Sequence, residues 1–319
     1  MKVAILGAGA VGLGLAATLH EASVSVRLFT RPENPQPELA PHGLRREGLF
    51  GEIQTPPGAI PTETSLASLQ RDPADFLMLC TKTPAIPEVA RQVGRVWPIL
   101  NPKPIVVLCQ NGWGSAQLVA EQLPASHVFS ARVITGFSRT TPGSVEITAH
   151  AQPIRMGSLF DHDPAPLEPL CEALARGGIP AEISPSIDRD LWAKMLYNCA
   201  LNPLGALLRV PYGEIALRAP SREILESVVR EIFRVLKETP YDTYWSSAAE
   251  YLETFYRDLL PPTERHDSSM LQDLRAGRVT EIDSLCGAVA RLGTENGIAA
   301  PVNTALAELV RACTDSPAV

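Results

Sequence analysis

The sequence predicts an α/β fold in which a domain built on a mostly parallel sheet is followed by an all-helical domain. Short β-branched and apolar runs recur through the first half of the chain and end in glycine or polar clusters, as buried strands of an open sheet do. From Arg189 onward these runs almost vanish and helical periodicity takes over. We therefore expect one domain over residues 1–185 and a second over residues 186–319.

The first strand leads directly into a glycine-rich turn. Lys2–Leu6 is a strand-like run, and a helical pattern reaching His20 follows the turn. The pattern G-x-G-x-x-G between strand and helix is the fingerprint of a Rossmann-type dinucleotide-binding domain, because its glycines permit the turn, the approach of a pyrophosphate and close helix packing. The residues expected to bind the cofactor here are Gly7, Ala8, Gly9, Ala10, Val11 and Gly12.

The end of the second strand indicates which dinucleotide is bound. A site that prefers NAD places an acidic residue there to bond the ribose 2′-hydroxyl. Val24–Thr30 is followed instead by Arg31, and the first acid is Glu33. Arg31 suits a 2′-phosphate, so the predicted cofactor is NADP(H). The alternative is that Arg31 is an ordinary surface residue.

Two further strands end in polar clusters. Ala74–Cys80 precedes Thr81-Lys82-Thr83, and Ile105–Cys109 precedes Gln110-Asn111-Gly112-Trp113-Gly114. Open α/β sheets hold ligands at the carboxyl ends of their strands. We expect Lys82 to contact cofactor or substrate and Asn111 to lie near the nicotinamide; a surface lysine and a plain turn are the alternatives.

The rest of the first domain combines an irregular connection with further strands and one helix. Glu33–Glu63 is rich in Pro, Gly and Glu and predicts an irregular connection with a short strand pair around Leu49–Ile53. Val128–Gly157 predicts antiparallel strands, turning at Pro142-Gly143, that close the first sheet. A helix at Leu167–Ala175 and a last strand at Ala181–Ile183 should follow.

The stretch Asp190–Ala206 is apolar and helix-forming almost throughout, except for three polar side chains spaced four apart: Lys194, Asn198 and Asn202. Four residues advance a helix face by about 40°, so the three side chains fall within roughly 80°. They form either a solvated or internally satisfied stripe, or the wall of a ligand site in which the lysine donates and the amides orient a polar ligand. Pro203 should end this helix just after Asn202.

Further helices are expected at 189–202, 220–239, 246–258, 268–276, 280–296 and 301–313. Aromatic residues concentrate at 240–266, which favours core packing or the interface of a homodimer over the alternative of a binding surface. Ser268 could cap a helix and Glu281 could pair with Arg278. The other interpretation places Ser269 and Glu281 opposite the Lys194 helix.

Composition excludes several classes. A net charge of −7 without a basic run argues against nucleic-acid binding, and no apolar run is long enough for a membrane span. Glycines in Val3–Leu19 make it a poor signal peptide. The six cysteines are dispersed and the six histidines form no ligand pair, which predicts reduced thiols, a cytoplasmic protein and no metal site.

Together these segments resemble the ketopantoate reductase (2-dehydropantoate 2-reductase) family. The resemblance rests on Gly7–Gly12, Lys82, Gln110–Gly114, Leu191–Leu204 (Leu-Trp-x-Lys-x-x-x-Asn-x-x-x-Asn-Pro-Leu), Ser268–Asp273 and Thr280–Asp283. The segments occur in the family's order and span nearly the whole chain. The lysine–asparagine string and Ser-Ser-Met-Leu-Gln-Asp are much more specific than the glycine turn.

The resemblance implies NADPH-dependent reduction of 2-dehydropantoate to pantoate, a step toward pantothenate and coenzyme A. By position, Lys194 is similar to the family's general acid, and Glu281 to the acid that holds the lysine and the bound ligands. Lys82 and Asn111 match cofactor-side residues, and Asn111 also belongs to the substrate site. The remaining implied substrate contacts are Asn198, Asn202 and Ser269.

The chain departs from the family pattern at Pro211 and Tyr212, where an asparagine that touches substrate is usual just before Gly213-Glu214, and at Trp113, where a methionine is frequent. Two other functions therefore stay open. One is reduction of a different 2-oxo acid by the same lysine. The other is a non-catalytic NADP-binding regulator, which would not need an acid aimed at a carbonyl.

Overall fold

The computed structural model describes residues 1–32 and 39–315, so the position of Glu33 lies outside the described residues. The chain divides into two compact units. The first comprises Met1–Gln110 and Ser115–Ile187, and the second comprises Asn111–Gly114 and Asp188–Val319. The short segment Asn111–Gly114 thus belongs with the C-terminal helices although its flanking residues belong to the first unit.

The first unit contains an eight-stranded sheet and a four-stranded sheet. The strands are β1 (Lys2–Leu6), β2 (Ser25–Phe29), β3 (Arg45–Gly48), β4 (Ile53–Gln54), β5 (Thr62–Glu63), β6 (Phe76–Leu79), β7 (Ile105–Leu108), β8 (Val128–Arg132), β9 (Thr135–Thr141), β10 (Ser144–His150), β11 (Ile154–Gly157) and β12 (Ala181–Ile183).

The large sheet has the order β12-β11-β8-β7-β6-β1-β2-β5, and its central strands are parallel. The alternate residues of β1 enter separate apolar clusters: Val3 and Ile5 belong to one, and Ala4 and Leu6 to the other. A strand covered on both faces needs apolar residues throughout. This explains why the strands read as continuous apolar runs in the sequence.

The helices of the first unit cover both faces of this sheet. They are α1 (Ala10–Glu21), α2 (Leu39–His42), α3 (Ile86–Val96), α4 (Ser115–Ala120) and α5 (Glu168–Arg176). Residues Gly12–Leu19 of α1 are all buried because the helix contacts strands of both sheets. A side chain at Gly14 would overlap the Phe137 ring, so close packing there requires glycine.

The predicted hairpin at Pro142-Gly143 forms, but in a different sheet from the one expected. β9 and β10 pair antiparallel on either side of the turn and join β3 and β4 in the small sheet, in the order β4-β3-β10-β9. The expectation that all of Val128–Gly157 closes the first sheet was therefore wrong. Only β8 and β11 enter the large sheet; β9 and β10 cover α1, whose buried apolar surface extends beyond one sheet.

In the part of the second unit that the structure describes, the regular elements are helices. They are α6 (Ile187–Leu208), α7 (Tyr212–Leu217), α8 (Ala219–Lys237), α9 (Ala248–Thr254), α10 (Ser269–Arg275), α11 (Cys286–Glu295) and α12 (Pro301–Asp315). The predicted fold class is confirmed. None of the described helices is both long enough and apolar enough to cross a bilayer.

Pro203 does not end the helix that carries Lys194. α6 continues to Leu208 with Pro203 inside it, so the predicted stop was wrong. A proline leaves the carbonyl four residues earlier without its helical donor. That carbonyl belongs to Cys199 and accepts a hydrogen bond from Cys286 Sγ at 3.6 Å. A donor from a distant segment thus replaces the missing backbone N–H.

Candidate functional site

The glycine-rich turn has the geometry of a dinucleotide loop. Gly7 has φ +111°, and a Cβ there would lie 2.8 Å from Thr81 N. A Cβ on Gly12 would lie 1.9 Å from Gly7 O, so neither position accepts a side chain. α1 begins at Ala10 without a side-chain cap and without an acid in its first turn. Its first N–H groups remain available to an anion.

Gly9 differs from the other two glycines. A Cβ built on it would meet no atom within 4 Å, and its backbone is in an ordinary extended conformation with φ −79°. The fold itself therefore does not require glycine at this position. A free approach to the backbone at an uncapped helix N-terminus is what a pyrophosphate requires, so the loop fits the predicted cofactor.

Thr30 and Arg31 follow β2 at the same end of the sheet as the glycine turn. The Arg31 side chain is exposed, whereas Thr30 is buried and its Oγ1 has no hydrogen-bond partner among the described residues. No acidic side chain stands at positions 30–32. The predicted 2′-phosphate contact by Arg31 thus has an accessible guanidinium, and it stays a prediction.

The polar cluster after β6 divides into a buried part and an exposed part. Lys82 is exposed, whereas Thr81 Oγ1 is buried without a partner among the described residues. Gln110, which follows β7, donates from Nε2 to Leu79 O at 2.6 Å and to Thr81 O at 3.0 Å. The two strand ends are therefore tied together beside Gly7, and the exposed lysine is the side chain that a ligand could reach.

The segment Asn111–Gly114 is held by the residues around Glu281. Trp113 N donates to Ser284 O at 2.8 Å, and Ser284 Oγ donates to Glu281 O at 2.9 Å. Gly112 has φ +88°, and a Cβ on it would lie 2.4 Å from Ser284 O. The glycine is needed for this close approach, which brings Asn111 to Glu281.

Lys194, Asn111 and Glu281 form a hydrogen-bonded chain in the second unit. Lys194 Nζ donates to Asn111 Oδ1 at 2.6 Å, and Asn111 Nδ2 donates to Glu281 Oε2 at 2.9 Å. The lysine stands on α6 beside the buried side chains of Met195 and Leu196, and it is itself partly exposed. The arrangement holds an ammonium group in place and balances its charge with a carboxylate.

Asn198 and Ser269 have polar side chains that make no hydrogen bonds within the described part of the chain. Asn198 is partly exposed on α6, and Ser269 is exposed at the first turn of α10. Neither side chain makes a hydrogen bond to any residue that the structure describes. The neighbouring Ser268 is fully buried, and its Oγ accepts from Leu271 N at 3.0 Å, which confirms the predicted helix cap.

Asn202 is the most buried of the expected substrate contacts, at 5% exposure. Its Oδ1 accepts a hydrogen bond from the Tyr212 hydroxyl, and its backbone carbonyl accepts from Ser268 Oγ at 3.3 Å. The Ser268 contact ties α6 to the start of α10, where Ser269 stands. The link to Tyr212 was missed in the sequence, because a tyrosine at the start of a short helix carries no local sign of its partner.

An aromatic cluster packs beside the lysine chain. The Trp113 ring lies 4.9 Å from that of Trp192 and 4.5 Å from that of Tyr241, measured between centroids. Trp113 is 5% exposed and Trp192 is fully buried. Trp113 thus anchors the segment that carries Asn111, a role that could have been suspected from a bulky residue between two glycines.

Glu281 does not pair with Arg278, as one interpretation of the sequence had it. Arg278 Nε donates to Asp273 Oδ1 at 2.9 Å instead, and this carboxylate is buried. Asp273 lies nearer because the turn after α10 returns the chain across its last residues. The Glu281 carboxylate accepts from Asn111 Nδ2. Among the aromatic residues at 240–266, Tyr251 and Phe255 are fully buried, in agreement with core packing.

Comparison with known proteins gives consistent matches over the whole chain. The model of the family described as ketopantoate reductase PanE/ApbA matches residues 3–160, and the model of its C-terminal region matches residues 186–314. The 2-dehydropantoate 2-reductase of Aquifex aeolicus (strain VF5) is 32% identical over 317 residues, which cover 98% of this chain and 96% of that protein.

Solved structures share the fold at full length. The crystal structure of a PanE/ApbA family ketopantoate reductase from Ralstonia eutropha JMP134 superposes with a TM-score of 0.83 at 29% identity, covering 99% of each chain. A D-mandelate dehydrogenase in complex with NADH and anilino(oxo)acetate superposes with a TM-score of 0.85 at 24% identity, again over 99% of each chain. The second likeness is one of fold.

Proposed function

The chain belongs to the ketopantoate reductase family, and we propose that it reduces 2-dehydropantoate to pantoate with NADPH. In this proposal residues 1–185 bind the cofactor and residues 186–319 supply the substrate and catalytic groups. Lys194 is the proton donor. The product would serve pantothenate and coenzyme A synthesis in the cytoplasm, where the six free cysteines stay reduced.

The observation that carries the proposal is the chain from Lys194 through Asn111 to Glu281, with donor–acceptor distances of 2.6 and 2.9 Å. A lysine used only for solubility needs no such support. Here the amide accepts from the ammonium and donates to a carboxylate, so both of its ends are satisfied and its orientation is fixed. The lysine is thereby held in position before a substrate binds.

The residue types suit reduction of a ketone. When bound, the reduced nicotinamide supplies a hydride to the carbonyl carbon of the substrate. Negative charge then develops on the carbonyl oxygen, which Lys194 stabilises as a cation and neutralises by transferring a proton from Nζ. Glu281, through Asn111, keeps the ammonium positioned for this transfer. The reaction therefore consumes one hydride and one proton for each alcohol formed.

The cofactor proposal rests on the first unit. The open backbone at Gly9 and the uncapped start of α1 fit a pyrophosphate. The exposed Arg31, without an acid at positions 30–32, supports NADP(H) over NAD(H). Lys82, also exposed, is proposed as a further cofactor contact.

The side chains proposed to bind the substrate lie in the second unit. Asn198 and Ser269 have no internal hydrogen bonds among the described residues, and Asn202 keeps its amide nitrogen unused. Together with Lys194 they offer donors to the oxygen atoms of a small acid. The curated relatives are named for 2-dehydropantoate, which makes it the first substrate to test. We retain a homodimer as a prediction, because Tyr244 is 49% exposed among the aromatic residues at 240–266.

Two side chains favour a second candidate, the reduction of another 2-oxo acid by the same lysine. Tyr212 stands where the family resemblance leads us to expect a substrate-binding asparagine, and the bulky Trp113 packs beside the lysine chain. Either side chain could reshape the substrate pocket while leaving the chemistry unchanged. Acids with a different tail therefore belong in the substrate panel, including one with an aryl group such as the anilino(oxo)acetate of the D-mandelate dehydrogenase complex carries.

The test is NADPH oxidation by the purified protein with 2-dehydropantoate and a panel of other 2-oxo acids. We expect Lys194→Ala to lower kcat by about 100- to 10,000-fold, the usual contribution of a general acid, without weakening NADPH binding. Lys194→Arg keeps the charge but is a much poorer proton donor, so it separates the two roles. Lys237→Ala, an exposed lysine at the end of α8, is the matched control.

The outcomes are distinct. Turnover of 2-dehydropantoate that disappears with Lys194→Ala supports the whole proposal. Turnover of another acid alone transfers the proposal to the second candidate. Tight NADPH binding without turnover of any acid would refute the enzymatic function and leave a regulator.

A further inference from the structure

Tyr212 and Asn202 form a buried polar pair, of which the proposed function uses only the Asn202 amide nitrogen. The Tyr212 hydroxyl donates to Asn202 Oδ1, and the two residues are 4% and 5% exposed. The contact links the first residue of α7 to α6, the helix that carries Lys194. Asn202 Nδ2, by contrast, makes no hydrogen bond to any residue that the structure describes.

The hydroxyl acts as the donor in this pair. Burial raises the pKa of Tyr212 well above its ordinary value, so the side chain keeps its proton at neutral pH. The hydroxyl has no other hydrogen-bond partner among the described residues. A buried hydroxyl hydrogen requires an acceptor. The amide must therefore present its oxygen to Tyr212 and turn its nitrogen away.

The tyrosine is itself firmly placed. Tyr212 N donates to His266 O at 3.2 Å, and the next residue, Gly213, donates from N to Glu264 O at 2.8 Å. The Tyr212 ring packs against the rings of Tyr197 and His266 at centroid distances of 5.9 and 5.3 Å. A ring held by backbone and neighbours keeps its hydroxyl at one point, so the Asn202 amide is fixed from a rigid support.

We propose that Tyr212 is a positioning residue that fixes the Asn202 amide with its NH₂ group directed to the substrate. The inference rests on the proposed function and extends it to the class of substrate. Asn202 stands two helical steps of four residues beyond Lys194, about 12 Å along the axis. Because Asn202 lies beyond Lys194 along α6, and the long lysine side chain spans part of that distance, we place its NH₂ group at the part of the substrate remote from the reacting carbonyl.

This orientation selects an oxygen acceptor at that end of the substrate. An NH₂ group donates, so it favours a hydroxyl, carbonyl or carboxylate oxygen and gives nothing to an apolar tail. The substrate class is thus a 2-oxo acid with an oxygen substituent at the end away from the carbonyl. The terminal hydroxyl of 2-dehydropantoate meets this requirement. Without the tyrosine hydroxyl the amide can turn over, and the preference should weaken.

The test compares two substrates that differ only at this end: 2-dehydropantoate and its analogue with a hydrogen in place of the terminal hydroxyl. In Tyr212→Phe we expect KM for 2-dehydropantoate to rise about fivefold, the effect of one neutral hydrogen bond, with kcat unchanged. KM for the analogue should not change. The fall in discrimination between the two substrates is a result that general loss of structure would not produce.

Tyr197→Phe is the matched control. It removes the same atom from the neighbouring ring, whose hydroxyl bonds Thr263 Oγ1 instead, and should leave the discrimination as in the wild type. The inference is overturned if Tyr212→Phe leaves the ratio of kcat/KM values unchanged, if it weakens both substrates equally, or if the two phenylalanine variants behave alike.

A second measurement separates this inference from the proposed function. If the wild-type protein reduces neither substrate, the proposed function fails and the orientation is read by NMR. The side-chain amide signals of Asn202, assigned by their loss in Asn202→Asp, should shift in Tyr212→Phe and not in Tyr197→Phe. Unshifted signals in Tyr212→Phe would overturn the positioning role, whatever the activity.

Discussion

Lys194 and Glu281 are bridged by the amide of Asn111, which accepts from the lysine at 2.6 Å and donates to the carboxylate at 2.9 Å. Removing this amide should release the ammonium from its position. We expect Asn111→Ala to lower kcat by about 10- to 100-fold, the range for a hydrogen bond to a charged group.

Asn111→Asp gives a sharper version of the same test. It puts a second carboxylate within hydrogen-bond distance of Glu281, and two such groups resist joint ionisation. Steady-state kinetics should therefore show that Asn111→Asp lowers kcat at least as much as Asn111→Ala does, although aspartate has the same shape as asparagine. Full activity in Asn111→Asp would contradict the bridging role.

The glycines of the dinucleotide loop should respond differently to the same substitution. A Cβ on Gly9 meets nothing within 4 Å, whereas one on Gly12 would lie 1.9 Å from Gly7 O. Gly9→Ala should therefore keep the melting temperature of the protein and lose affinity for NADPH, because its methyl group takes the space of the pyrophosphate. Gly12→Ala should lower the melting temperature itself. Thermal unfolding and NADPH fluorescence titration of both variants check this prediction. Equal melting temperatures for Gly9→Ala and Gly12→Ala would refute it.

Arg31 should decide between the two nicotinamide cofactors. A guanidinium paired with a phosphate makes strong charge-assisted hydrogen bonds, so Arg31→Ala should raise KM for NADPH by about 10- to 100-fold. KM for NADH, which has no 2′-phosphate, should stay constant. Arg95→Ala removes the same charge from an exposed position on α3 and serves as control. An equal change for both cofactors would exclude a phosphate contact.

The arrangement of the candidate site follows from the sequence where local patterns position the groups. Helical geometry alone places Lys194, Asn198 and Asn202 on one side of α6. The glycine pattern likewise predicts the turn between β1 and α1. Pro203 shows the limit of this reasoning. Its local effect is to stop a helix, but the thiol of Cys286, remote in sequence, bonds the freed Cys199 carbonyl and the helix continues.

The other features that the sequence did not predict are pairings between segments that are distant in the chain. The second sheet forms because β10 pairs with β3 in parallel, and strand patterns do not specify partners. Tyr212, on α7, donates a hydrogen bond to Asn202 on α6. Asn111 belongs to the second unit although the strand before it belongs to the first. Each of these depends on tertiary packing, which overrides what a local window can express.

His150 should make the stability of the protein depend on pH. Burial lowers the pKa of His150 below its ordinary value in the folded state, so the unfolded chain binds the proton first as the pH falls. Stability contributed by the neutral ring is fully present above about pH 6.5, the ordinary histidine pKa, and is lost as the pH falls from there through the lowered folded-state pKa. Urea unfolding at neutral and at mildly acidic pH should show that the free energy of unfolding falls less between the two pH values in His150→Gln than in the wild type. An identical loss in both proteins would refute this contribution.

Glu231 should be among the largest single polar contributors to the stability of the second unit. It is 2% exposed on α8, and its carboxylate accepts from Val302 N, Asn303 N and Asn303 Nδ2, each at 2.9 Å. These donors belong to the first turn of α12, whose unpaired N–H groups and positive dipole end favour a negative charge. The carboxylate thus joins two helices and caps one of them.

Glu231→Ala leaves several buried donors without an acceptor, and Glu231→Gln removes the charge and one acceptor oxygen. We expect the free energy of unfolding to fall by about 3 kcal/mol for alanine and by less for glutamine. Glu253→Gln, whose side chain is 76% exposed and pairs with Arg257 at 3.3 Å, should cost no more than about 0.5 kcal/mol. Urea denaturation of the three variants measures the difference. Similar losses for the buried and the exposed glutamine variants would show that the cap contributes nothing beyond an ordinary surface pair.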